Sequence, residues 1–168
     1  MIKTGDQHLE QLRDGRTVYI GDEKIDDVTC HPAFEKAAKT VAKLYDIKHE
    51  NKYKNDLSYE EDGELFSTWF LQAKNKSDLR RRSKAHKIIA DQTSGMMGRS
   101  MDHVASFVTG MSTNPDIFDS GKYKFKENLL NYYKYMKQND IFASYAVVPP
   151  QAARNPEFYQ KQNLPIPT

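Results

Sequence analysis

Apolar positions recur along the chain in five helix-spaced stripes and two short alternating runs. Thr4 caps a first stripe with Leu9 and Leu12 on one edge, and Gly15 closes it, predicting a helix over 4–14. Val18 and Ile20 alternate with Tyr19 before Gly21-Asp22, which predicts a small hairpin. His31-Pro32 opens the next helix, with Phe34, Ala37, Ala38, Val41, Leu44 and Tyr45 on one face. Residues 46–56 are charged and predict a loop; the run 57–70 then predicts a second hairpin around Asp62-Gly63. Ser77-Asp78 starts a helix to about Met97, whose inner side is Ala85, Ile88, Ile89, Gln92 and Met96, with Gly98 at its exit. A helix from Ser100 carries Val104, Phe107, Val108 and Met111 at i, i+3, i+4, i+7. The segment "STNPD" breaks it, and a last helix covers 122–138 with Phe125, Leu129, Tyr132, Tyr133 and Met136 on one side.

After Asp140 the pattern changes. "IFASYAVVPP" is a β-prone run, and five prolines follow without periodicity between 149 and 168. Such a segment cannot bury itself, so it is expected to be a tail or the beginning of another domain. The division expected is a helical domain over 1–139 and the start of a second, β-rich domain over 140–168.

Composition narrows the function classes. A hydrophobic fraction of 38% and a mean hydropathy of −0.80 are polar for a globular domain and suggest a surface that something else covers. A net charge of +2 is too small to argue for nucleic acid. One cysteine, Cys30, excludes an internal disulfide and a multi-cysteine metal site. The N-terminus lacks an apolar signal region, and no run approaches the roughly 18 apolar residues of a membrane span, so a cytoplasmic protein is expected.

Four features carry candidate chemistry. Arg80-Arg81-Arg82, with Lys84 and Lys87, reads as a phosphate-binding face or, more simply, a solvated helix surface. The five histidines include no HExxH, so a metal site is not expected; His31 reads as a cap and His86 as part of the basic face. Tyr132, Tyr133 and Tyr135 read as core rather than a cofactor box. In "TSGMMGRSMDHV", Ser100 is a good N-cap and Asp102 sits in the first turn, so Arg99 lies just outside a helix N-terminus. Amide N–H groups and a guanidinium there suit an anion or developing oxyanion, and His103, one turn in, can exchange a proton near neutrality. A tight interhelical corner, with Gly95 and Gly98 for close packing and Arg99 paired to a carboxylate, explains the same residues.

The stretches "IKTGDQHLEQLRDGRTVYIGDEKIDDVTCHPAF", "LYDIKHE", "MMGRSMDHV" and "ASYAVVPPQAAR" resemble the N-terminal part of the 4-hydroxyphenylacetate 3-hydroxylase family, the oxygenase components of two-component flavin monooxygenases. The first stretch is the most specific, and the likeness covers essentially the whole chain. It implies a mainly α fold: the helical N-terminal domain of an acyl-CoA dehydrogenase-like protein with small β-hairpins, plus the start of a β-domain. It implies a phenol-contacting segment at Arg99, Ser100, Met101, Asp102 and His103, with Tyr145 nearby, and flavin contacts at Gln151, Ala152, Ala153 and Arg154. Arg99, Pro150, Gln151 and Arg154 match the family pattern. His103 stands where the family has tyrosine, Tyr145 where it has histidine, and Ala153 where it has aspartate. The first two departures exchange the same two functional groups, and both side chains can hydrogen-bond a phenol oxygen.

The implied reaction is ortho-hydroxylation of a phenol by O₂ with reduced FAD delivered by a separate flavin reductase, in a homotetramer or homodimer. Arg99 would stabilise the phenolate while His103 or Tyr145 handles its proton. The 168 residues alone are expected to be inactive. One rival is a 4-hydroxybutyryl-CoA dehydratase-like enzyme, disfavoured because only Cys30 is present to hold an iron–sulfur cluster. Another is a non-catalytic helical binding module.

Overall fold

A computed structural model of the chain describes residues 2–96, 101–144 and 157. Helix α1 (Gly5–Gln11) begins as expected: Thr4 accepts from the Gln7 amide, and the Gln7 side chain accepts from the Thr4 amide at 2.9 Å. It lies so close to α2 (Glu35–Asp46) that a Cβ on Gly5 would stand 2.6 Å from the Ala42 carbonyl oxygen. That contact, and the 2.7 Å bond from the Gly5 amide to Asp46, need glycine. The buried face of α1 is Gly5 and His8, with Leu9 and Leu12 only half-buried.

Both hairpins form, each as a separate two-stranded antiparallel pair. Strands β1 (Val18–Ile20) and β2 (Glu23–Ile25) flank Gly21-Asp22 with Ile20 opposite Glu23. Strands β3 (Ser58–Glu61) and β4 (Glu64–Ser67) flank Asp62-Gly63, whose φ values of 54° and 80° are those of a type I′ turn.

Several expected boundaries move. His31 does cap, its Nδ1 accepting from the Ala33 amide at 3.2 Å, but it closes a turn holding Pro32, and α2 starts at Glu35. The charged stretch 46–56 is no open loop: it winds into a 3₁₀ turn (Ile47–His49) and α3 (Lys54–Leu57), burying Ile47 and Lys48. Helix α4 (Lys76–Gln92) is capped by Asn75, whose side chain accepts from the Asp78 amide at 3.0 Å. It ends well before Met97, because the Gly95 amide reaches back to the Ala90 carbonyl at 2.9 Å, and Met96 is exposed. Helix α6 (Lys126–Gln138) starts later than 122, where Asp119 accepts from the Lys126 amide at 2.9 Å.

The core gathers Leu44 and Tyr45 from α2, Trp69 and Phe70 from a 3₁₀ turn (Thr68–Phe70), Ile89 from α4 and Met136 from α6. Helix α5 (Met101–Ser112) presents Ala105, Val108, Thr109 and Ser112 to this core, with Val104 half-buried against it, so two of the four predicted stripe positions, Val104 and Val108, face inward. Its larger Phe107 and Met111 are 52% and 43% exposed. The small residues let α5 approach the Trp69 backbone, where Thr109 Oγ1 donates to the Trp69 carbonyl at 3.1 Å. Hydroxyls that bond backbone carbonyls bury without penalty, which an apolar period does not register. On α6 Met136 is buried and Leu129 and Tyr133 half-buried, whereas Phe125, Tyr132 and Tyr135 are exposed. Residues 141–144 form no strand; Ile141, Phe142 and Ala143 pack on the helical core. No described helix is long and apolar enough to cross a membrane.

Candidate functional site

Helices α4 and α5 face each other through a polar seam. Arg82 and His86 sit one turn apart on α4, and Asp102 and Ser106 one turn apart on α5. Arg82 donates to the Trp69 carbonyl at 2.8 Å, the Leu71 carbonyl at 2.6 Å and Ser106 Oγ at 2.9 Å. His86 bridges the helices: Nε2 lies 3.4 Å from Ser106 Oγ and Nδ1 3.4 Å from Asp102 Oδ2. Burial lowers the basicity of His86, and Arg82 and His103 lower it further, against the pull of Asp102.

His103 lies half-buried in the first turn of α5, its ring edge-on to Phe107 at 4.9 Å and 80°. Asp102 beside it is buried. The other expected substrate and flavin residues, Arg99, Ser100, Tyr145, Gln151, Ala152, Ala153 and Arg154, lie outside the described residues, as does the Met101 side chain.

The basic run is split: Arg80, Lys84 and Lys87 are exposed, as the solvated-surface reading expects. Arg81 and Arg82 are half-buried structural clamps, Arg81 donating to the Asn55 carbonyl at 3.0 Å and the Ser58 carbonyl at 2.5 Å. Only lysine rows on that helix pair at the surface, as Lys84 does with Asp56 at 2.9 Å. His86 belongs to the seam and not to a basic face. The signal that reveals the seam is two i, i+4 polar pairs, Arg82/His86 and Asp102/Ser106, on consecutive helices. Among the described residues no group of three or more His, Cys, Asp or Glu side chains is arranged to hold a metal. Cys30 is exposed.

A second polar cluster is buried. Lys48, fully buried, pairs with Asp140 and donates to Ser67 Oγ at 3.2 Å. Asp140 also accepts from Ser67 Oγ at 2.6 Å and the Lys3 amide at 3.0 Å. The Lys48 ammonium sits 4.1 Å over the Tyr45 ring. Burial pushes its basicity down, and the Asp140 carboxylate opposes that. His8 stacks on Tyr45 at 4.8 Å, and burial together with Lys3 and Lys48 lowers its pKa to about 4.

The sequence profile described as "4-hydroxyphenylacetate 3-hydroxylase N terminal" matches residues 4–166. The 4-hydroxyphenylacetate 3-monooxygenase oxygenase component of Thermus thermophilus is 38% identical over 99% of this chain and 34% of its own length. The oxygenase component of a Rhodococcus 4-nitrophenol 2-monooxygenase is 36% identical over 90% of this chain and 29% of its own. A crystal structure of the oxygenase component of 4-hydroxyphenylacetate 3-monooxygenase, complexed with FAD and 4-hydroxyphenylacetate, superposes with a TM-score of 0.83 at 38% identity, covering 92% of this chain and 32% of that one. An archaeal 4-hydroxybutyryl-CoA dehydratase from N. maritimus, at 19% identity and a TM-score of 0.68 over 84% of this chain and 28% of its own, shares the fold alone. The chain spans about a third of the length of the curated relatives it matches. Its helical, hairpin-bearing fold is the acyl-CoA dehydrogenase-like one that the resemblance implies. The chain therefore belongs to the 4-hydroxyphenylacetate 3-hydroxylase family and corresponds to its N-terminal region.

Proposed function

We propose that this chain is the N-terminal part of a reduced-flavin-dependent aromatic monooxygenase that hydroxylates a phenol ortho to its hydroxyl with O₂. The observation that carries the reading is the 38% identity over 99% of the chain to an enzyme named for that reaction class. In this reading residues 1–139 form the helical domain and 140–168 lead into a β-domain. FAD, when bound in its reduced form, supplies the oxygen chemistry. Gln151, Ala152, Ala153 and Arg154 would hold it; an amide, backbone groups and a guanidinium are a donor set suited to ring carbonyls and phosphates. Arg82 is not available for that task, since its guanidinium is spent on two carbonyls and Ser106.

The chain's own task is to hold and ionise the phenol. Arg99 stabilises the phenolate oxygen, because a guanidinium stays charged and favours the anion. His103 orients that oxygen and takes its proton, with Tyr145 as a second hydrogen-bond partner. Ser100, Met101 and Asp102 complete the substrate-facing turn. The support on this side is His103's fixed ring, edge-on to Phe107 in the first turn of α5. A separate flavin reductase, a homotetrameric or homodimeric assembly and a cytoplasmic location complete the proposal. The residues 1–168 alone are inactive in this reading.

The test is direct. The full-length protein, given chemically reduced FAD and O₂, is screened with simple phenols for catechol product. Catechol formation supports the reading; flavin oxidation without any hydroxylated product across the panel overturns it.

A further inference from the structure

The seam between α4 and α5 has a direction. Arginine has no acceptor, so the Arg82–Ser106 contact at 2.9 Å runs from guanidinium to Oγ. The single Ser106 proton is then available to His86 Nε2, 3.4 Å away. At the other end of the imidazole, Asp102 Oδ2 lies 3.4 Å from Nδ1 and a carboxylate oxygen accepts. The Asp102 end asks for a protonated Nδ1, and the Ser106 hydroxyl can donate to the bare Nε2 that this tautomer leaves. Asp102 is buried and immediately precedes His103, so whatever fixes Asp102 also fixes the first turn of α5.

We propose that His86 is a positioning residue for the phenol-facing turn: Arg82 and Ser106 lock its tautomer, and its Nδ1–H anchors Asp102 and thereby the backbone that carries His103. This rests on the reading of the α5 turn as the phenol site. Among the described residues, the charged and titratable groups acting on His86 are Asp102, Arg82 and His103. Burial, then Arg82 and His103, disfavour a proton on His86, and Asp102 favours one. The neighbouring clefts do not compete for this role, since both of the larger ones near α1 are lined by His8, Leu12, Arg16 and Phe142 and contain no seam residue.

The experiment has two arms on the full-length protein. In the first, histidine-selective ¹⁵N labelling reads the tautomer of His86 at neutral pH without substrate or flavin. The account expects the Nδ1–H form, shifting toward a mixture in Ser106→Ala, which removes the donor to Nε2. An Nε2–H ring, or an unchanged tautomer in Ser106→Ala, overturns the proposal whatever the enzyme does. In the second, His86→Ala is expected to lower kcat/KM for the phenol about tenfold or more with the affinity for reduced FAD unchanged, because a small misplacement of a reacting group is costly. His86→Asn, whose amide can still donate to Asp102, is expected to recover most of the loss. Equal losses in both variants overturn the proposal. A wild-type protein that hydroxylates no phenol but shows the locked tautomer would sink the phenol reading and leave the seam intact.

Discussion

Two polar clusters lie inside this molecule, and they differ in how far they are closed. Around Asp140, the ammonium of Lys48, the Ser67 hydroxyl and the Lys3 amide converge on one carboxylate, and the side chains of the ion pair are 0% and 2% exposed. Between α4 and α5, the His86 side chain remains 39% exposed and its two bridging distances are 3.4 Å. The first cluster joins Lys3 to Asp140 across 137 positions of sequence. The second carries two histidines, His86 and His103, and lies at the first turn of α5. Burial of charge therefore marks the keystone of the fold, whereas partial burial beside a titratable ring marks the corner where the function is proposed.

The comparison breaks most sharply at the keystone. Lys48→Met leaves Asp140 buried without its counterion, and a loss of about 3–5 kcal/mol is expected in urea unfolding. Lys48→Met combined with Asp140→Asn is expected to lose less than Lys48→Met alone, because no charge is then stranded. Asn also tolerates the left-handed backbone at position 140, φ 44°. Equal losses would show that the pair is not coupled.

A smaller effect is expected from His8. Its pKa falls from 6.5 to about 4 on folding, so the unfolded chain binds the proton more readily. Stability from this group is complete above pH 6.5 and is lost as pH falls from 6.5 toward 4. The loss is at most about 3 kcal/mol. His8→Phe keeps a ring on Tyr45 but cannot protonate, so its unfolding free energy should be flatter across that window. An unchanged slope would assign the acid sensitivity elsewhere.

Arg82→Lys is the gentlest probe. One ammonium cannot reproduce a fork that serves Trp69, Leu71 and Ser106 together, and a loss of about 1–2 kcal/mol in thermal or urea unfolding is expected. No change would mean that the seam is held by His86 and Asp102 without the guanidinium.

Much of the fold is legible in the residues because local chemistry decides it. Asp62-Gly63 dictates its turn, and Thr4 and Gln7 form their capping box within four residues. What escapes is decided at long range. Lys48 reads as part of a charged loop, yet it is buried because Asp140, 92 positions later, receives it. Arg81 and Arg82 read as surface because their partners are backbone carbonyls, which no residue pattern reveals. The inner face of α5 holds Val104 and Val108 of the predicted stripe beside small and hydroxylated residues, whereas the bulkier Phe107 and Met111 turn outward. Of the proposed site, helix α5 and the place of His103 in its first turn are legible from the sequence. His86 is not, because its role exists only once α4 and α5 are side by side.

The central claim is that the turn before α5 holds an ionised phenol, and Arg99→Ala in the full-length protein tests it most directly. Hydroxylation at saturating reduced FAD and the affinity for FAD are measured side by side. The account predicts that catechol formation falls about a hundredfold or more, as loss of a charge-stabilising donor does, with flavin affinity nearly unchanged. Parallel losses in both, or full activity without the guanidinium, would contradict it.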